Sequence, residues 1–204
     1  MARFCRAAAS LVVLGISACA SAPVALVALP PAPAAEVRAS GAGAGTGASV
    51  LLRDVNLPGY LDGFPVVLDR KGSALIVSRD AEWAERPSMG VGRVLRDALA
   101  QRLGVSRVLI PGDGRIPDAD LTVEFAALDP QEAALHLDAR WFFSCTAAVG
   151  SRGGRTQLQV PMASATPAAV AAATTEALAR LADVLAANVP CVERPYSDRM
   201  PTVR

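Results

Sequence analysis

Several segments of the chain alternate apolar and polar residues with the period of two that is typical of a β-strand. The clearest are 121–125 and 135–143, where every second residue is apolar. Each is expected to bury one face, and we predict that 128–131 joins the two strands as a hairpin. Further strands are predicted at 50–57, 64–68, 74–78, 107–110 and 157–160. The turn residues at 69–72 and 151–154 are expected to connect neighbouring strands.

Two other segments have the spacing of three and four residues that indicates an amphipathic helix. The apolar residues of the first stripe are Val91, Val94, Leu95, Ala98, Leu99 and Leu103. We predict Ser88 as the N-cap of this helix and Gly104 as its end. The second helix is predicted to begin with Thr166 as N-cap and Pro167 as first residue, and to stop before Asn188.

Two helices and six to seven strands, mostly linked as hairpins, predict a single α+β domain. We expect one mainly antiparallel sheet with both helices packed on one of its faces. The domain is predicted to span 49–192, and a loosely ordered tail of proline and charged residues to follow at 193–204.

The N-terminus has the layout of a bacterial lipoprotein signal. Arg3 and Arg6 precede an apolar stretch without charge at 7–18, and the segment ends on Ile-Ser-Ala before Cys19. We therefore predict a signal peptide at 1–18 and a lipid on the Cys19 thiol. The following residue is Ala20 instead of aspartate, which favours sorting to the outer membrane. A protein that carries several acyl chains would stay on its membrane.

Two alternative interpretations of this segment remain open. Apolar character continues far enough that 7–29 has the length of an uncleaved membrane-spanning helix. Prolines at 23, 30 and 31 count against one long helix, because proline removes a backbone donor. The second alternative is an ordinary cleavage site at 32–35. Because 19–48 is almost entirely Ala, Pro, Gly, Ser and Val, we predict a flexible tether there.

Composition excludes several classes of function. The formal net charge is +1 and no long basic run exists, so nucleic acid is not expected as a partner. No metal site is predicted, because the chain has one histidine and no C-x-x-C pair. Apart from Cys5 and Cys19 there are two cysteines, Cys145 and Cys191. They either form a disulfide, which an oxidising envelope compartment permits, or remain buried thiols.

No catalytic residue is predicted, and neither enzyme activity nor a cofactor is expected. His136 is expected on the polar face of a strand, and no G-x-S-x-G nucleophile elbow is present. Asp118 and Asp120 belong to a polar segment, 111–120, that we interpret as a solvated turn. Trp141 continues an inward stripe and is predicted to be core. Tyr60 and Trp83 lie in connections, where they either contact a partner or pack locally.

The order of several short motifs resembles the ABC-type transport auxiliary lipoprotein family, in the paraquat-inducible protein C group. The strand end V-x-L-P-x-Y-L over 55–61, the hairpin segments after it and Trp83-Ala84 before the leucine-spaced helix carry this resemblance over 50–104. The strand at 121–125 and the one that contains Trp141 are also similar to the family.

The resemblance implies a non-catalytic protein that serves an ABC transporter with mammalian-cell-entry (MCE) substrate-binding proteins. Such systems move lipids between the inner and outer membranes, and the lipoprotein docks the periplasmic MCE assembly at the outer membrane. Self-association into a homo-oligomer is also implied. The candidate partner-contact residues are Pro58, Tyr60, Leu61 and Trp83.

Two other functions remain as alternatives. A lipoprotein that itself binds lipid or a small molecule would need an apolar cavity. An envelope hydrolase would have to use His136.

Overall fold

The computed structural model describes residues 23–34, 47–146 and 150–190. In these residues two α-helices and eight strands form one α+β domain, which confirms the predicted fold class. None of the described helices has both the length and the apolar character that crossing a bilayer requires. The elements in chain order are β1 (Ala25–Val27), β2 (Val50–Asn56), β3 (Pro65–Lys71), β4 (Ala74–Trp83), α1 (Pro87–Leu103), a 3-10 turn (Val105–Arg107), β5 (Val108–Leu109), β6 (Ala119–Gln131), β7 (Ala134–Cys145), β8 (Ser151–Pro161) and α2 (Pro167–Ala187).

The larger sheet has five strands in the order β5-β2-β6-β7-β8. Its last three strands form an antiparallel meander, whereas β2 lies parallel to both β5 and β6. The inward stripe of β7 is buried as predicted, with Trp141 in the core and Phe142 exposed on the opposite face. The indole Nε1 of Trp141 donates to the Thr156 hydroxyl at 3.0 Å, so the one polar atom of the ring is satisfied.

A second sheet of three strands, ordered β1-β4-β3, departs from the single sheet that we predicted. The β3–β4 hairpin is antiparallel as expected, but β1 pairs with β4 in parallel. Alternation along a strand specifies which residues face the core, and it leaves the neighbouring strand undetermined. The division of the strands into two mixed sheets therefore depends on pairing between strands that are distant in the chain.

Both helices lie against the large sheet and against each other. The centre of α1 contributes Val94, Leu95 and Leu99, all fully buried, and α2 contributes Leu178 and Leu181. The apolar stripes read from the sequence are thus the faces that close the core.

The N-terminal ends of the helices differ from prediction in one case. Thr166 caps α2 as predicted, since its side chain accepts a hydrogen bond from the backbone N–H of Ala169 at 3.4 Å. The prediction that Ser88 caps α1 is wrong, because Arg86 is the N-cap and Pro87 the first helical residue. Asp62 accepts the Ser88 backbone N–H at 2.9 Å instead, so a side chain distant in sequence satisfies this helix end.

The predicted tether at 19–48 is wrong over 23–34, where the chain packs onto the domain. The N–H of Ala84 donates to the carbonyl of Val27 at 2.8 Å, which extends the pairing of β1 with β4. Leu29 and Ala32 are buried in the core. Because 25–27 is a strand, the alternative of a membrane helix that continues to Leu29 is also wrong. The small side chains and prolines of this segment have no apolar periodicity, so its packing onto the domain could not be predicted from the pattern.

The β6–β7 connection lies at 132–133, directly after the segment 128–131 that was predicted to form it. Strand β6 continues through 128–131, and its Pro130 pairs with Leu135 of β7. The turn consists of Glu132 and Ala133, whose φ angles are 51° and 61°. Two positive φ angles match the twist of a tight hairpin, so tertiary pairing imposes this geometry on residues without turn propensity.

Candidate functional site

The turn after β2 carries three of the candidate contact residues. The N–H of Leu61 donates to the carbonyl of Pro58 at 2.8 Å, which closes the turn. Tyr60 is 40% exposed, whereas Leu61 is 8% exposed and belongs to the core. The turn therefore divides its side chains between solvent and interior, and only Tyr60 presents a large part of its side chain to solvent.

Leu61 and Trp83 meet in one apolar cavity of about 40 Å³ between β3, the helices and the N-terminal segment. The other residues that line it are Leu29, Leu57, Val67, Pro87, Val91, Leu128, Pro130, Val170 and Thr174. An engineered cavity of about 150 Å³ is needed to hold one benzene ring. In the described residues this enclosed apolar space is therefore too small for an acyl chain, and Leu61 and Trp83 pack locally.

Tyr60 takes part in a polar contact that joins the two sheets. Arg70, on β3, donates to the Tyr60 hydroxyl at 3.1 Å and to the Asp129 carboxylate of β6 at 3.2 Å. Its guanidinium carbon also lies 5.4 Å from the centroid of the tyrosine ring. The contact holds β3 against the large sheet close to the hairpin turn, because Arg70 pairs with Leu75 across the hairpin.

Burial shifts the pKa values of the Asp129 carboxyl and the Tyr60 hydroxyl in this contact. Asp129 is 2% exposed, and burial raises the pKa of its carboxyl although Arg70 opposes the shift. Burial also raises the pKa of Tyr60, and the nearby Asp129 charge adds to that effect. The hydrogen bond to Asp129 raises the pKa of Arg70. A buried carboxylate with a single cationic partner depends on that partner, so Arg70 has a structural role.

His136 and its neighbours lie on the face of β7 that points away from the helices. The His136 Nδ1 is 3.5 Å from the amide nitrogen of Gln159. Asp138 is held by Arg155, whose Nε donates to it at 2.8 Å, and by Gln157 at 3.1 Å. The hydrogen bond from Arg155 lowers the pKa of Asp138 to about 2. No described group of three or more His, Cys, Asp or Glu residues is arranged to hold a metal ion.

The interpretation of 111–120 as a solvated turn is wrong at its end. Asp118 is buried, and its Oδ2 accepts hydrogen bonds from the backbone N–H of Ser49 at 2.8 Å and from the Ser49 hydroxyl at 2.6 Å. In return the Asp118 backbone N–H donates to the Ser49 hydroxyl at 3.1 Å. This reciprocal contact locks the start of β2 to the start of β6. Nothing in the local sequence signals it, because the partners are 69 residues apart.

One run of exposed apolar residues was not recognised from the sequence as a surface. Leu75, Ile76 and Val77 are consecutive on β4 and all exposed. Successive strand residues point to opposite faces, so a hairpin with three exposed in a row projects beyond the body on both faces. The run Leu-Ile-Val without alternation is the signal, because a half-buried strand would place a polar residue in the middle.

The predictions for the Cys145–Cys191 pair and for the lipid on Cys19 depend on residues that the structure does not describe. Cys145, near the end of β7, is disulfide-bonded. Its predicted partner Cys191 lies outside the described residues, so the pairing of these two cysteines stays a prediction. The signal peptide at 1–18, the lipidation of Cys19 and the tail at 193–204 also lie outside them.

The sequence model of one protein family, described as the ABC-type transport auxiliary lipoprotein component, matches residues 28–186. The chain belongs to this family. Two crystal structures resemble this transport auxiliary lipoprotein in fold. One, of an uncharacterized protein, has a TM-score of 0.63 at 13% identity and covers 80% of this chain and 97% of its own. The other, from Xanthomonas campestris and assigned to family DUF330, has a TM-score of 0.55 at 16% identity, with coverage of 81% and 89%.

No significant match is found among curated proteins. Family membership associates this lipoprotein with an ABC transport system and with a membrane. The matched residues begin at 28 and so include Leu29 and Ala32, which agrees with the packing of the N-terminal segment onto the domain.

Proposed function

We propose that this transport auxiliary lipoprotein is a non-catalytic docking component on the periplasmic face of the outer membrane. It would hold an MCE-domain protein of its ABC transport system there, with a lipid on Cys19 as its anchor. The exposed apolar tip of the β3–β4 hairpin is the observation that best supports a docking role, since contiguous exposed apolar residues mark interaction sites.

The hairpin is suited to contact a partner because its outer edge is open. In the described residues β1 pairs with β4 only at Ala81, Glu82 and Trp83, so the edge from Ala74 to Asp80 has no strand beside it. An open edge with apolar side chains is a template for association. The ion pair of Arg70 with Asp129 holds β3 directly opposite Leu75, so the apolar tip is presented in a fixed orientation. Self-association through the same edge would give the implied homo-oligomer.

The position of the N-terminal segment supports an anchor close to the domain. Three residues separate Cys19 from Pro23, where the described chain begins. At about 3.5 Å per residue the lipidated thiol would lie within roughly 14 Å of the folded body. The alternative cleavage at 32–35 would remove β1 and the buried Leu29, which is a physical argument against it.

Docking is tested by co-purification of the membrane-anchored full chain with the MCE-domain protein from envelope membranes after cross-linking. Ile76→Asp should reduce recovery of that protein by tenfold or more, because the substitution places a charge in the apolar contact. Val105→Asp is the matched control, since Val105 is 81% exposed and lies outside the hairpin. Equal recovery with both variants, or failure of the wild type to recover an MCE-domain protein, would refute the proposal.

A further inference from the structure

A second open strand edge belongs to the larger sheet and lies beside α1. In the described residues β5 pairs with β2 only at Val50 and Leu51. On that side β2 continues from Leu52 to Asn56 with no neighbouring strand, while β6 pairs with its other edge. Five residues of β2 therefore border an open groove of about 500 Å³.

The helix forms the other wall of this groove. The residues of α1 that line it are Ser88, Met89, Gly92, Arg93 and Arg96, which lie on one helical face. The stretch from Ser88 to Arg96 is about 12 Å long at 1.5 Å per residue. The stretch of β2 from Leu52 to Asn56 is about 13 Å long at 3.3 Å per residue. An extended segment of four to five residues matches the length of both walls.

Gly92 of α1 lines the groove and has no side chain to fill it. A Cβ placed on Gly92 would lie 3.7 Å from the Val55 side chain, so a larger residue would close the groove. Met89, which also lines the groove, is 66% exposed. A flexible thioether beside an open strand edge is suited to contact varied apolar side chains.

The charge of the groove specifies what the segment carries. Three arginines and two acids line it. Arg93 is paired with Glu85 at 2.6 Å, and Arg53 is paired with Asp120 of β6 at 3.0 Å. Among the described residues Arg96 has no ion pair, and its buried Nε has no hydrogen-bond partner. A guanidinium that lines the groove without an ion partner can pair with an incoming carboxylate.

From this geometry we propose that the groove between β2 and α1 binds an extended segment of a partner protein by β-strand addition. The segment forms backbone hydrogen bonds with the edge at Arg53–Asn56, places a carboxylate on Arg96 and an apolar side chain on Met89 and Val55. Arg96 and Met89 are seven positions apart on the helix, about 10 Å, so these two side chains are three or four residues apart in the bound strand.

The proposal is tested with a displayed library of random twelve-residue peptides, selected against the purified full chain in detergent. Peptides that also bind a Met89→Glu variant are discarded, since Met89 is exposed and its replacement leaves the core unchanged. The enriched peptides should share an acid three or four residues from a bulky apolar residue. No enrichment over the discarded pool would overturn the proposal.

Charge reversal then tests the role of Arg96. Arg96→Glu should weaken binding of an enriched acidic peptide by tenfold or more, and the same peptide with lysine in place of its acid should bind this variant better than the wild type. Arg152→Glu makes the same charge change on an exposed residue of β8 and should leave affinity unchanged. Equal losses in both variants, or no rescue by the lysine peptide, would contradict a specific ion pair.

Backbone pairing is tested separately. In a strand, alternate backbone N–H groups point to opposite edges, so only one of the two sets can bond to β2. N-methylation of that set in the enriched peptide should abolish binding, and N-methylation of the other set should not. Hydrogen exchange at Asp54 to Asn56 should slow when the unmodified peptide binds. Unchanged exchange would exclude strand addition.

Displacement of the peptide by a synthetic copy of residues 191–204 would overturn the assignment to a partner protein in favour of the tail of this chain. Loss of MCE docking in the hairpin variant leaves this site unaffected, so the two proposals fail independently.

Discussion

At the scale of single residues, two glycines of this protein have opposite roles. A Cβ on Gly154 of β8 would overlap the indole ring of Trp141, which the Thr156 hydrogen bond holds in place. A Cβ on Gly92 of α1 would make only ordinary contact with Val55. The first glycine is required by a close approach across the sheet, whereas the second is a helix residue that space alone does not require.

Substitution of the two glycines should change stability in opposite directions. Gly154→Ala should lower the free energy of unfolding by about 1–3 kcal/mol, because the indole has to move in a packed core. Gly92→Ala should raise it by about 0.5–1 kcal/mol, because alanine favours the helix. Urea unfolding followed by tryptophan fluorescence measures both. Destabilisation of equal size in both variants would show that the contact with Trp141 is not the cause.

Asp138 predicts a dependence of stability on acid pH. Its pKa is about 2 in the folded protein and about 4 in an unfolded chain. A lowered pKa contributes stability that is present above about pH 4 and lost as the pH falls through about 2. Asp138→Asn should therefore be less stable than the wild type at pH 7, and the difference in urea midpoint should shrink from pH 4 to pH 2.

The Asp138→Asn variant has to be compared with the wild type at each pH, because Asp129 changes the stability of both proteins with pH in the direction opposite to Asp138. Burial raises the pKa of Asp129, so the folded state gains relative stability when that group is protonated as the pH falls. Because Arg155 is exposed, salt should reduce the contribution of the Asp138 pair. A difference in midpoint that stays constant between pH 7 and pH 2 would contradict the assignment.

At the scale of elements, the strands and helices with strong periodicity were predicted closely. The α2 helix begins and ends where Thr166, Pro167 and Asn188 indicate, because capping and helix-stopping residues act over one turn. The strand β1 was missed, because three residues without alternation carry no periodic signal. The candidate contact residues stay a prediction, and the structure adds which of them are exposed. Tyr60 is exposed as a contact requires, but Leu61 is buried, and a turn alone does not tell which side chain points inward.

The N-terminal segment should prove to be part of the domain. Leu29 is 5% exposed and lines the apolar cavity, so Leu29→Ala should destabilise the protein by about 2–5 kcal/mol. Val24→Ala is the control, since Val24 is half exposed in the same segment and should change stability by less than about 0.5 kcal/mol. Thermal unfolding of the full chain measures both, and equal effects would indicate that the segment does not pack.

At the scale of the whole molecule, the fold places three features at different sites: the N-terminal entry to the domain, the apolar hairpin tip and the groove beside α1. The two open strand edges belong to different sheets. Membership in the family associates the protein with an ABC transport system.

Removal of the lipid attachment tests the anchor at this scale. Cys19→Ala should move the protein from the membrane fraction to the soluble periplasmic fraction, because acylation supplies the membrane affinity. Its unfolding midpoint should equal that of the processed wild type, since Cys19 precedes the described domain. Retention of the variant in the membrane fraction after a carbonate wash would refute the predicted lipid anchor.

The sequence by itself determined the class of fold, the inward faces of the long strands, the extent of α2 and the resemblance to the transport auxiliary lipoproteins. These depend on periodicity, capping and short motifs, which act between near neighbours. The tertiary structure alone decided that the strands form two sheets, that residues 23–34 join them, that Ser49 meets Asp118, and that β2 keeps an open edge beside α1. Those features depend on contacts between residues distant in the chain, and no local pattern encodes which distant segment arrives.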